Sequence, residues 1–349
     1  MKKILLLIGI FCIVFNGNAQ KLKTSRDSTK IFYDKIFKAF EVAYLYKKDY
    51  DWKKLKTETF QNLESAKDFK GSLSEVKVLF EKVNANHSVV SYQEKTYGMK
   101  TNIPWDNFSE QWMKKFNAKP KFEARVLDGK YGYILMPNIS SDDFSNEYIN
   151  KTAQLMYDKI AELKTNNNLE GWIVDLRFNS GGNSAPMLLA LYDLLGDNVV
   201  WGMLDEDKKR ADWTRLNKGA YDQGNKNPSN IKPKGELLDE AKVAVLIGGL
   251  TASSGEITAL AFKGRVNTVF IGEKTMGKTT SNFIVTLPFG GFMSLSNGYD
   301  CDRNKNYYAQ IPPDVEISKQ DNFEDYMSDQ NIKEAIKFFK NKIHNKNDI

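Results

Sequence analysis

Ser253 and Lys278 stand 25 positions apart, each in a short segment rich in small and polar residues. Ser253 lies in Leu250-Thr251-Ala252-Ser253-Ser254-Gly255-Glu256, and Lys278 in Gly272-Glu273-Lys274-Thr275-Met276-Gly277-Lys278-Thr279. A serine hydroxyl is a poor nucleophile until a base takes its proton. A lysine can be that base only when neutral, and burial lowers its pKa toward that state. Backbone N–H groups at Gly181, Gly182 and Ser254 are candidates for an oxyanion hole, in which one donor contributes roughly 3 kcal/mol of transition-state stabilisation. Each of these residues also has a plain structural reading. Ser253 with Glu256 spells a capping box, Lys278 is one of many lysines, and Gly181-Gly182 is a tight turn.

The Lys278 segment also fits G-x-x-x-x-G-K-[ST], the spelling of a phosphate-cradling loop. Such a loop needs a helix directly after its Lys-Thr, because the helix N-terminus holds the phosphates. Here Phe283, Ile284, Val285 and Thr286 follow, then Pro288 and Gly290-Gly291, which reads as strand, turn, strand. No nucleotide partner is expected.

The elements around these residues decide whether they meet. Residues 28–95 read as helical: Ile31, Phe32, Ile36, Phe37, Phe40 and Tyr44 recur at helical spacing. Ser72 and Glu75 have capping-box spacing before Val76, Leu79, Phe80 and Val83. From about 120 the pattern changes to two strands about Asp128-Gly129, a hairpin signal. A long helix over 144–164 follows. Then come strand GWIVDLR, helix APMLLALYDLL and strand VVWGML, a polar stretch over 205–240, strand KVAVLIGG, helix SGEITALAFKG and strand TVFIG. This alternation predicts a mostly parallel sheet. The 205–240 stretch reads as an insertion or mobile loop. In parallel βαβ units the loops at the carboxyl ends of the strands gather at one edge, where ligands bind. Ser253 and Lys278 should therefore meet at that edge.

The chain opens MKKILLLIGIFCIVFNGNAQ. Lys2 and Lys3 precede an apolar run of about a dozen residues, too short to span a bilayer comfortably. Gly17 and Ala19 then supply small residues two apart. This predicts a secretory signal peptide over 1–19 and a periplasmic or secreted product. No other apolar segment is long enough for stable membrane insertion. Beyond the leader only Cys301 remains, so no internal disulfide forms and the core must carry stability. The net charge of +6 falls to about +4 without the leader lysines, and the charges are interspersed, which argues against a nucleic-acid partner.

In order, GWIVDLRFNSGG, VAVLIGGLTASSGEITALAFKG, TVFIGEKTMGKTT, LPFGGFMSLS and IPPDVEI resemble the C-terminal processing (tail-specific) serine peptidases and their tricorn-core relatives over about 120–318. The resemblance implies a ClpP/crotonase-like α/β fold with an N-terminal helical domain, a peptide or protein substrate, no cofactor, and hydrolysis through an acyl-enzyme. It maps the nucleophile to Ser253 and the general base to Lys278. NANHSVV resembles the segment where tricorn-like relatives carry a catalytic histidine, here His87, but the downstream acid of those relatives is replaced around Asn306-Tyr307-Tyr308. The domains expected are 1–19 signal peptide, 20–95 helical domain, 96–119 linker, 120–320 catalytic core and 321–349 C-terminal helix. No PDZ-like glycine-rich loop is apparent over 95–120. An inactive peptide- or ligand-binding member of the same fold is the alternative.

Overall fold

The computed structural model describes residues 25–141, 143–224 and 226–341. The expected signal peptide lies outside the described residues. In chain order, the first elements are helices α1 (Ser25–Ala43), α2 (Trp52–Leu63), α3 (Phe69–Ser72) and α4 (Ser74–Lys82). The predicted apolar stripe is buried except for Ile31, which faces solvent: Phe32, Ile36, Phe37, Phe40 and Tyr44 meet Leu73, Val76, Leu79 and Phe80 in one cluster. Burying each such side chain contributes about 1.5–3 kcal/mol. The Ser72–Glu75 capping box does not form. Ser72 ends α3 and its hydroxyl donates to the Phe69 carbonyl at 2.6 Å, whereas Glu75 accepts from Asn62 at 2.7 Å.

Strands β1 (Val89–Tyr92) and β2 (Lys95–Gly98) form a hairpin that the expected boundary at 95 would cut in two. The expected linker then carries helix α5 (Glu110–Asn117), capped by Ser109. Trp112 of α5 stacks on Phe108, Phe116 and Phe178, which seats the segment on the core. Strands β3 (Glu123–Leu127) and β4 (Tyr131–Leu135) form the predicted hairpin, and helix α6 (Asn146–Asn166) follows. Next are β5 (Gly171–Asp175), α7 (Ser184–Ala190), α8 (Tyr192–Leu195) and β6 (Val199–Leu204).

The stretch expected as a loop over 205–240 instead holds β7 (Ala211–Asn217), β8 (Ala220–Asp222) and β9 (Ser229–Asn230). These extend an antiparallel sheet outward from β6. The remaining elements are β10 (Val243–Ile247), α9 (Ser254–Phe262), β11 (Thr268–Gly272), β12 (Thr280–Thr286), β13 (Phe292–Cys301), β14 (Val315–Glu316) and α10 (Gln330–Lys340).

Two sheets result. The first runs β14-β11-β10-β5-β4-β3 and is parallel except for β3. The second contains β2-β1-β13-β6-β7-β8-β9 with β12 paired to β13. The alternating pattern would place β6 in the parallel sheet. It does not go there, because β5 already has β4 on one side and β10 on the other. β6 pairs antiparallel with β13 instead. The helical region is likewise not self-contained. Its cluster is completed by Val285, Leu287, Met293 and Leu295 from the β12–β13 region. Among the described residues no helix is long and apolar enough to cross a membrane. Cys301 is buried and unpaired.

Candidate active site

Three loops leave the carboxyl ends of β5, β10 and β11, and side chains fasten them together. Thr251 Oγ1 donates to the Leu176 carbonyl at 2.9 Å and accepts from Gly248 N at 3.0 Å. Ala252 N donates to Asn179 O, and Met276 N to Thr251 O, both at 2.9 Å. Beneath the first loop, buried Arg177 pairs with Asp175, Asp321 and Asp329. Breaking such a buried network leaves unpaired charge in the core, which costs about 3–5 kcal/mol.

Ser253 sits at φ +53°, ψ −121°, a sparsely populated conformation for a residue with a side chain. Gly181 (φ +115°) makes room beside it, since a Cβ there would stand 2.9 Å from Ser253 Cβ. The capping box spelled by Ser253 and Glu256 is present. Glu256 Oε2 accepts from Ser253 N at 2.9 Å, and the Ser253 hydroxyl faces the backbone of Glu256 in return. That hydroxyl lies 3.0 Å from His87 Nε2.

His87 arrives from the other sheet, just before β1. A chain of hydroxyls stands behind it. His87 Nδ1 is 2.8 Å from Thr280 Oγ1. Thr280 Oγ1 donates to Ser296 Oγ at 3.2 Å, and Ser296 Oγ donates to Asn282 Oδ1 at 2.7 Å. An amide oxygen only accepts, so the proton direction along the chain is fixed from its far end. Thr280 then accepts from Nδ1–H, which leaves Nε2 unprotonated and facing Ser253. Asn282 Nδ2 also donates to the His87 carbonyl at 2.8 Å. Burial, then the Lys278 charge, push the His87 pKa from 6.5 down to about 4, so the ring is neutral at pH 7.

Lys278 reaches the expected edge, where its backbone N–H donates to Glu256, but its ammonium does not meet the Ser253 hydroxyl. Its ammonium donates to the Asn86 carbonyl at 2.5 Å, and among the described residues no hydrogen bond joins it to Ser253. Burial lowers its pKa and the Glu256 carboxylate opposes that shift. Glu256, fully buried, accepts from Ser253 N, Thr275 Oγ1 (2.6 Å), Gly277 N (2.8 Å) and Lys278 N (2.7 Å). Burial raises its pKa while these donors hold it down. It therefore fastens the serine turn to the lysine loop.

The oxyanion candidates separate. Gly181 N–H already donates to Asn179 Oδ1 at 3.0 Å, so it is not free for a substrate oxygen. Gly182 N–H has no partner among the described residues, while its carbonyl accepts from Ser254 Oγ at 2.6 Å. Ser254 N–H belongs to the first turn of α9, where helix N–H groups lack intrahelical partners. Sequence reading missed Thr280, Ser296 and Asn282, because nothing in their local pattern distinguishes them from ordinary strand residues. It saw in Glu256 only a helix cap.

A sequence model of Peptidase family S41 matches residues 130–317. The chain belongs to peptidase family S41. The nisin-resistance protein of Lactococcus lactis subsp. lactis is 27% identical over 271 residues, 77% of either chain. The carboxy-terminal-processing protease of Bartonella bacilliformis is 26% identical over 200 residues, which are 55% of this chain and 40% of that protein. A lipoprotein from Streptococcus agalactiae superposes with a TM-score of 0.64 at 21% identity, covering 91% of this S41 chain and 96% of its own. The fold is the ClpP/crotonase-like α/β core of this family, carrying an N-terminal helical region.

Proposed function

We propose that this S41 chain is an exported serine endopeptidase with Ser253 as nucleophile and His87, rather than Lys278, as general base. The observation that carries this is the 3.0 Å contact between His87 Nε2 and the hydroxyl of a serine held at positive φ. Ser253 Oγ attacks the peptide carbonyl carbon as its proton passes to Nε2. The carbonyl oxygen becomes an oxyanion facing the N–H groups of Gly182 and Ser254. The C–N bond then breaks and the departing amine takes the proton from His87. Water repeats the sequence on the ester, giving its proton to Nε2, and Ser253 regains a proton as the acid leaves.

Lys278 acts at one remove in this scheme. It holds the residue before His87 by its carbonyl and keeps the imidazole neutral by its charge. The basic, apolar leader over 1–19 supports export.

Fluorophosphonate labelling and peptide cleavage test the proposal. Nisin belongs among the peptides tried, because one relative is named for resistance to it. The wild-type protein should label and cleave, Ser253→Ala should do neither, and His87→Ala should lose about 10²–10⁴-fold in kcat/KM. An unlabelled wild-type protein that still binds peptides would instead be a receptor built on the same cleft.

A further inference from the structure

Ser253 and His87 open into a cleft of about 550 Å³. One of its walls comes from the 205–240 segment, which the sequence left without a role. Tyr221 of β8, Gln223 and Ser229 of β9 line it together with Ile149 of α6, Trp201 of β6 and Ile257 of α9. This wall is fixed in place. β9 and the residues just after it are held to α6 by Asn230 N on Asn150 Oδ1 and Lys232 N on Gln154 Oε1, both at 2.7 Å.

Two properties define what the wall would accept. First, no Asp, Glu, Lys or Arg lines the cleft among the described residues. A charged substrate side chain would be desolvated there without a counter-charge, which is costly. Second, the polar tips of the wall are already engaged with one another. Trp201 Nε1 and Gln223 Nε2 both donate to the Tyr221 hydroxyl at 3.3 Å, and Ser229 Oγ donates to Asn146 Oδ1 at 2.9 Å. Trp201 and Tyr221 are packed in the core and only 8% and 7% exposed, so they offer the cleft a small remaining ring surface.

We propose that the β8–β9 segment is the specificity wall of the cleft, forming with Ile149, Trp201 and Ile257 a subsite for a bulky, uncharged, mainly apolar side chain next to the scissile bond. This rests on the peptidase reading above. The 205–240 segment is then a substrate-selecting element rather than a surface insertion.

The test is a peptide series of one sequence in which each residue flanking the cleaved bond is set in turn to Phe, Leu, Ala, Asp or Lys. The wild type should cleave the Phe and Leu peptides at least about tenfold faster in kcat/KM than the Asp and Lys peptides at one flanking position. Gln223→Glu, outside the catalytic groups, should raise the Lys peptide relative to the Phe peptide by about tenfold. Binding of the same peptides to Ser253→Ala should give the same ranking without turnover. A protein that labels with fluorophosphonate and cleaves charged and apolar peptides equally would overturn the specificity wall and leave the peptidase reading intact. A wild type that neither labels nor cleaves any peptide, and whose Ser253→Ala variant shows no apolar preference in binding, would sink both.

Discussion

Replacing Lys278 by Met separates the two candidate bases, because the two assignments give opposite results. If Lys278 were the base, the variant would lose about 10²–10⁴-fold in kcat/KM at every pH. If His87 is the base, activity should persist and only its pH profile should move. His87 stands about 2.5 pH units below its ordinary value, a differential of roughly 3.4 kcal/mol at 1.36 kcal/mol per unit. Burial is the larger cause and Lys278 the second, with a Thr280 hydrogen bond opposing both, so removing the ammonium returns part of that shift and not all of it. Two like charges at an effective dielectric of about 20 repel by up to about 4 kcal/mol at 4 Å, and partial solvent exposure of Lys278 reduces this. The acid limb of kcat/KM should therefore move up from about 4 toward the ordinary histidine value. The sign follows from the chemistry: losing a nearby positive charge makes the imidazole easier to protonate, so the base switches off at higher pH. Met keeps the length of the apolar stem, which limits disturbance of the loop. The assay is kcat/KM from pH 3.5 to 9 with one peptide, alongside the rate of fluorophosphonate labelling. A folded Lys278→Met protein that is inactive from pH 6 to 9 would refute His87 as the base.

Two further outcomes follow from buried carboxyl groups. Glu256→Gln should cost about 1–3 kcal/mol in denaturant unfolding, because the amide nitrogen can donate to Thr275 Oγ1 but the Thr275 hydroxyl and Gly277 N–H both lose the oxygen they donated to. Glu256→Ala should cost more and depress kcat, since it strands all four donors, including Ser253 N. Asp300 is fully buried, is bonded by Ser281 on one oxygen and has no partner among the described residues on the other, and burial pushes its pKa up to about 7. Between about pH 4 and 7 the folded chain holds a proton there that the unfolded chain releases, so this group lowers stability progressively as pH rises through that window. The total is on the order of 4 kcal/mol. Asp300→Asn should therefore gain stability relative to wild type at pH 8 and little or none at pH 4. A difference independent of pH would refute the assignment.

Much of this was legible in the sequence because it depends on local pattern. The helical stripe of Phe32, Ile36 and Phe40, the Asp128-Gly129 hairpin and the strand after Lys278 follow from spacing and turn chemistry. So does the edge of the parallel sheet where the Ser253 loop lies, because βαβ units return their loops to one side. The tertiary structure decided the rest. β6 cannot enter a sheet whose neighbouring places are filled, and no local pattern records that occupancy. The polar 205–240 stretch becomes strands because β6 offers it an edge to pair with, not because its own residues demand it. His87 and Ser253 are 166 residues apart and come from different sheets, so their 3.0 Å contact is a product of packing alone. The same holds for Lys278. Its sequence spacing brings it to the correct edge, but only the position of the Asn86 carbonyl fixes where its ammonium goes.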